Sequence, residues 1–156
     1  MRDLWNYLKM NKLKWCCRQK KGIILIEPNE NLSKEYIQSS EENLSAMGTL
    51  KGKWKSITSY YACYDCIYAL LQKVGIKCEI HDCTIELLDL FEIDKKWINF
   101  IKDLKKERIH VQYYLKKPKE VDDVRIKDFV NDCKLVINTI SEDEVNIIRR
   151  KIKSVV

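Results

Sequence analysis

The residue types best placed to do chemistry converge on one arginine. Between Asp94 and Leu115 the apolar residues Trp97, Ile98, Ile101, Leu104, Val111 and Leu115 recur at helical spacing, and Arg108 falls on the same stripe. A guanidinium among apolar side chains must pair with a carboxylate, reach water along its stem, or face a cleft. Two readings stay open at this point. One is a salt bridge, within the chain or across a dimer interface. The other is a phosphate or nucleotide held by the planar fork of donors. Just beyond stand Tyr113 and Tyr114, phenols that can stack on a base or hydrogen-bond a phosphate, or sit half-buried on the helix. His81 lies in a polar connection beside Asp82, where it reads as a helix-start residue making local hydrogen bonds. His110 falls on a charged face and is assigned no role.

The cysteines invite a metal reading. Cys63-x2-Cys66 followed by Cys78-x2-His81-x-Cys83 has the outline of a zinc site. Against it, Cys63 and Cys66 are one turn apart inside an apolar helix, where cysteine packs as a small hydrophobe. Structural zinc pairs sit on turns, and the second pair is irregular. No metal or other cofactor is expected. Seven cysteines is an odd count, and residues 1–3 open no apolar signal-peptide core, so mostly reduced thiols are expected, with Cys16, Cys17 and Cys133 as ordinary helix residues.

These groups need a frame. The stretch WKSITSYYACYDCIYALL, Trp54–Leu71, carries one charge beyond Lys55, Asp65, and is apolar all round. Such a helix needs neighbours on every side, so it is expected at the centre of a bundle, from Lys53 to Val74, with Gly75 closing it. Around it the periodicity predicts a basic amphipathic helix over 2–20 and a helix from about Asn31 to Met47 near Ser33. A shorter helix capped by Asp82, the Arg108 helix to Leu115, and a helix over Val121–Ile140 follow. A capping box at Ser141–Glu144 opens a short last helix. Ile23–Ile26 reads as an extended connector. Four glycines and two prolines disfavour a turn-rich β fold. The expected fold is all-α: an up-and-down bundle of about five main helices with a short C-terminal helix, in one domain spanning 1–156.

The net charge of +6 permits phosphate neutralisation without demanding it. Lysines cluster around positions 9–21, 51–55, 102–106 and 116–119 and in Arg149–Lys153; if the first and fourth converge on Arg108 they form an RNA-binding groove. No apolar run is long enough to span a bilayer, so a cytoplasmic protein without a membrane partner is expected.

The string SYYACYDCIYALLQKVGIKCEIHDCTIELL resembles the HEPN superfamily, in its archaeal and bacterial branch of small single-domain proteins. The resemblance rests on Tyr60-Tyr61-Ala62, then Ala69-Leu70-Leu71, Gly75 and His81, with Arg108 and Tyr113 on a later helix and Gln112 where the branch often has Asp. It covers roughly residues 30–140. It implies a helical bundle, usually dimeric, that acts on RNA or nucleotides. It also implies a partner, a small nucleotidyltransferase of the kind paired with HEPN proteins in toxin–antitoxin modules. In family members that cleave RNA without metal, a histidine follows the arginine by four to six residues. Here Tyr113 stands in its place, and a phenol is a poor base near neutral pH. The expectation is therefore a nucleotide- or RNA-interacting module with a degenerate nuclease motif, using Arg108, Tyr113, Tyr114 and His81. The alternatives are an active endoribonuclease with Arg108 and Tyr113 as catalytic residues, and a non-catalytic helical dimer joined along the Trp97–Leu115 helix.

Overall fold

The structure, a computed structural model, describes residues Met1–Val156. It is all-α, with helices α1 (Arg2–Arg18), α2 (Glu30–Met47), α3 (Lys53–Val74), α4 (His81–Glu86), α5 (Lys96–Tyr113), α6 (Asp123–Thr139) and α7 (Glu142–Val155). A 3₁₀ turn, Leu87–Leu90, follows α4. No helix is long and apolar enough to cross a membrane.

α3 is the axis of the bundle. It buries 14 of its 22 residues, and α2, α5 and α6 pack around it. The α2–α3 contact depends on small residues at seven-residue spacing on both helices. Ser33 Oγ donates to the Ala69 carbonyl at 2.7 Å, and Ser40 Oγ donates to the Ala62 carbonyl at 2.6 Å. Residues this small let two backbones approach, and each buried hydroxyl finds an acceptor in the neighbouring helix. Asp65, the only charge between Lys55 and Lys73, accepts from Ser39 Oγ at 2.7 Å and Asn43 Nδ2 at 3.0 Å. Burial nevertheless raises its pKa. On the far side, Cys133 Sγ donates to the Cys66 carbonyl at 3.2 Å and joins α6 to α3.

α3 ends at Gly75, whose φ of 80° is the left-handed cap expected from sequence. Gly75 is needed for a second reason. Arg149 of α7 reaches into this corner, and its Nη1 lies 2.8, 3.0 and 2.8 Å from the carbonyl oxygens of Ile26, Val74 and Gly75. A Cβ at position 75 would come within 2.4 Å of that Nη1 and of the Ile26 carbonyl oxygen. The basic run Arg149–Lys153 therefore opens on a residue turned inward, and α7 buries Ile148 and Ile152 against the core.

Several local expectations are corrected. Ile24–Leu25 is a short strand paired antiparallel with Ile76–Lys77, where a connector and a polar loop were expected; these are β1 and β2. α2 starts earlier than Asn31, because the Asn29 side chain caps it by accepting from Leu32 N–H; Ser33 lies inside the helix. Asp82 does not cap α4, which begins at His81 without a side-chain cap. Leu115 lies beyond α5 and is exposed. The expectation of reduced thiols fails at one pair: Cys16 and Cys83 form a disulfide that ties α1 to α4. Cys16 sits where Ile23 N–H returns to its carbonyl at 3.0 Å and Gly22 leaves no room for a Cβ. Closure of the chain there brings the sulfur against α4, which sequence spacing does not reveal. Cys63, Cys66, Cys78 and Cys133 are free and buried, and Cys17 is free and half-buried.

Candidate functional site

The aromatic content of α3 builds the site. Tyr60, Tyr64 and Tyr68 recur every four residues and therefore stack along one face, at centroid spacings of 5.6 and 5.7 Å. Residues 78–84 run across this ladder. Tyr68 Oη donates to the Cys78 carbonyl at 2.8 Å, and Tyr64 Oη reaches Thr84 Oγ1 at 3.4 Å. The His81 ring lies flat on Tyr64, at 4.2 Å and 13°. Its Nδ1 is 2.6 Å from Tyr60 Oη.

Both partners of that short bond are neutral. Burial pushes the Tyr60 phenol well above its ordinary pKa, so it keeps its proton. Burial, then the nearby Arg108 and Lys105 charges, push His81 below its ordinary value, so the imidazole is neutral at neutral pH. With both groups neutral, Tyr60 O–H can donate to Nδ1, and in that tautomer the ring proton sits on Nε2 and His81 presents an N–H donor to its surroundings.

Arg108 arrives from α5. Its residue is 7% exposed, and no carboxylate forms a salt bridge with it. Its Nη1 donates to Gln112 Oε1 at 3.1 Å and, at a long 3.4 Å, to Tyr61 Oη. The guanidinium carbon lies 4.9 Å from the Tyr60 ring centroid and 5.6 Å from that of Tyr61. Electron-rich ring faces replace part of the hydration a buried cation loses. Nε is buried with no hydrogen-bond partner. Beside this centre, Lys105 Nζ is 2.7 Å from Asp82 Oδ1, and this bond, with the charges of Lys105, Lys12 and Lys102, outweighs burial and holds the Asp82 carboxyl below its usual range. Lys102, Lys105, Lys106 and Ile109 line a shallow hollow with Asp82, and Lys12 of α1 contributes to the field on Asp82.

The structure thus brings His81 and Arg108 together, with Tyr60, Tyr61 and Gln112 completing the group. It does not bring Tyr113 or Tyr114 to them. Both are about two-thirds exposed, at 66% and 68%. On a helix, position i+5 lies about 140° around the axis from position i, whereas i+4 lies about 40° away. Gln112, at i+4, is therefore the residue of this helix that meets Arg108. The α5 stripe assigned to dimerisation is spent inside the chain: Trp97, Ile98, Ile101 and Val111 are buried in the bundle. Lys12 of the first lysine cluster and Lys102 and Lys105 of the third act on Asp82, next to His81. Lys117 and Lys119 of the fourth lie with Lys51 and Lys55 of the second along a separate groove.

Tyr60, Tyr61, Tyr64 and Gln112 were missed as site residues. The signal was present in the four-residue spacing of the tyrosines, which marks a shelf for whatever segment follows the helix. His, Cys, Asp and Glu side chains nowhere gather in a group of three or more that could hold a metal. Cys63 and Cys66 are buried within α3, and Cys83 is spent on the disulfide.

The site is an assembly of donors facing a cationic margin. Its chemistry suits an anion. Comparison of the chain with known protein families, with curated proteins and with solved structures finds no match.

Proposed function

We propose that the chain is a HEPN-like helical module that binds a phosphate-bearing ligand, RNA or a nucleotide, through Arg108 and His81, and binds it without cleaving it. One observation carries the reading: a buried arginine with no carboxylate in reach and an unpartnered Nε. An unmade hydrogen bond of this kind costs roughly 1–3 kcal/mol. A phosphate oxygen, with its charge and several acceptor sites, offsets that cost at the guanidinium and can accept from His81 Nε2–H as well. The exposed tyrosines Tyr113 and Tyr114 lie outside the group and serve, in this reading, as contacts for a longer RNA or for a partner surface. A homodimer and a small nucleotidyltransferase partner belong to the same reading and rest on the resemblance.

The absence of cleavage follows from the proton inventory. With Tyr60 donating, Nδ1 of His81 is filled, and Tyr113 lies on another side of α5, so in that tautomer no free base stands beside Arg108 within one chain. The test uses fluorescence anisotropy of a labelled single-stranded oligoribonucleotide, with calorimetry of ATP, on wild type and Arg108→Met. The expected result is saturable, salt-sensitive binding by wild type, about tenfold or more weakened in the variant. Gel analysis of the same RNA without added metal is expected to show equal background from both. Equal affinity of both proteins for RNA and nucleotide would remove Arg108 from the reading. Arg108-dependent cleavage would replace it with the endoribonuclease.

A further inference from the structure

We propose that the outward face of α1 seats the protein on the surface of an anionic lipid bilayer. This stands independently of the Arg108 site. An amphipathic helix normally turns its apolar residues to the core, but only Cys16 of α1 is buried. Leu4, Trp5, Tyr7, Leu8, Met10 and Trp15 are 49–62% exposed. At about 100° per residue, Leu4, Leu8 and Trp15 fall within an arc of about 40° on the side opposite Leu13, which packs on the core. Lys12 and Trp5 flank one edge of that arc, and Lys14 and Arg18 flank the other.

The charge says what covers this stripe. Residues 1–21 hold seven lysines and arginines against one acid, Asp3. Only two of the seven are engaged by carboxylates, Lys9 on Asp89 and Lys21 near Glu79. α7 packs beside α1, and its exposed Lys151 lines a pocket with Lys9 and Lys12 of α1. A second copy of the chain meeting this face about a two-fold axis would press cation on cation. A nucleic acid would use the tryptophans and lysines but gains nothing from leucines at the centre of the stripe. An acidic bilayer uses every part: aliphatic side chains below the headgroups, tryptophan at the interface, and a rim of lysine and arginine over the phosphates. Attachment of this kind lies in the plane of the surface and needs no crossing.

The test is co-sedimentation of the full chain with vesicles of phosphatidylglycerol and phosphatidylcholine in equal parts, against phosphatidylcholine alone. Wild type is expected to sediment with the acidic vesicles only, and less at high salt. In a Trp54→Phe background, Trp5 and Trp15 emission shifts to the blue on binding. Leu4→Glu/Leu8→Glu, at exposed positions, is expected to partition roughly tenfold or more weakly with unchanged thermal unfolding. Lys14→Glu/Arg18→Glu, which touches no apolar residue, is expected to lose binding to acidic vesicles in the same measurement. Arg108→Met is expected to bind vesicles as wild type does. No sedimentation with acidic vesicles, or equal sedimentation of wild type and Leu4→Glu/Leu8→Glu, overturns the proposal. Loss of a concentration-dependent dimer or of RNA binding in that variant, without vesicle binding by wild type, overturns it and assigns the face to the other occupant.

Discussion

Arg108→Met tests whether the arginine is kept for ligand or for fold. Methionine matches the arginine stem in length and carries no charge. The substitution removes a hydrogen bond of 3.1 Å to Gln112, a long one of 3.4 Å to Tyr61, and the contact with two tyrosine rings. Those are together worth about 2–3 kcal/mol. It also abolishes a buried N–H without a partner, which costs about 1–3 kcal/mol, and the desolvation of an uncompensated charge. Gln112 and Tyr61 are half-buried, so water can satisfy the groups left behind. The two sides cancel to within about 1 kcal/mol. For a chain of this size that is a change in Tm of about 2–4 °C in either direction. The assay is thermal and urea unfolding followed by circular dichroism, with and without oligonucleotide. Ligand should raise the Tm of wild type and leave that of the variant unmoved. A structural arginine whose buried partner is orphaned by mutation costs about 3–5 kcal/mol. A fall in Tm of roughly 10 °C or more without ligand would refute the reasoning, because Arg108 would then be holding the bundle together.

Three further outcomes are expected. Cys16→Ser removes a crosslink spanning 67 residues of sequence, worth about 4 kcal/mol by loop entropy; Tm should fall to the value wild type shows in reductant, and an unchanged Tm would sink the tether. Gly75→Ala must place a Cβ against Arg149 and the Ile26 carbonyl at positive φ and should cost about 2 kcal/mol or more in urea unfolding, where ordinary glycine-to-alanine changes in loops stabilise. His81 has a folded pKa below its ordinary 6.5, so its stability contribution is present above that pH and lost as pH falls through the folded value. Proton NMR titration should find one of the two histidines shifted down, with His110→Gln identifying it as His81, and unfolding free energy should fall less steeply below about pH 6 in His81→Gln.

The helical frame was legible because the determinants were local. An apolar-all-round segment, a closing glycine at Gly75 and a serine cap at Ser141 each act within a turn or two of their own position. The features that escaped depend on chain return. The Cys16–Cys83 bond and the Arg149 corner join residues far apart in sequence, and nothing in their own neighbourhoods marks them. The site was half legible. Arg108 was conspicuous because its stripe was otherwise apolar, and the structure does put it at a polar centre. Tyr113 was paired with Arg108 through the spacing of the family motif, whereas helical geometry hands the contact within the chain to Gln112. The exposed leucines of α1 escaped for a different reason: periodicity reports which residues share a face and is silent on whether that face points in or out.

The Arg149 corner has a consequence for synthesis. Its guanidinium is translated 74 residues after Gly75, so at about 5–20 residues per second the C-terminal carbonyls of α3 wait roughly 4–15 seconds for their donor. During that interval water must solvate the Ile26 and Val74 carbonyls and share the Gly75 carbonyl with Ile26 N–H, and the end of β1 is held only by backbone bonds to β2, Gly75 and Gln72. A nascent chain stalled before Arg149 should therefore have a loose α3 terminus that protease can reach, and the emergence of α7 should close it.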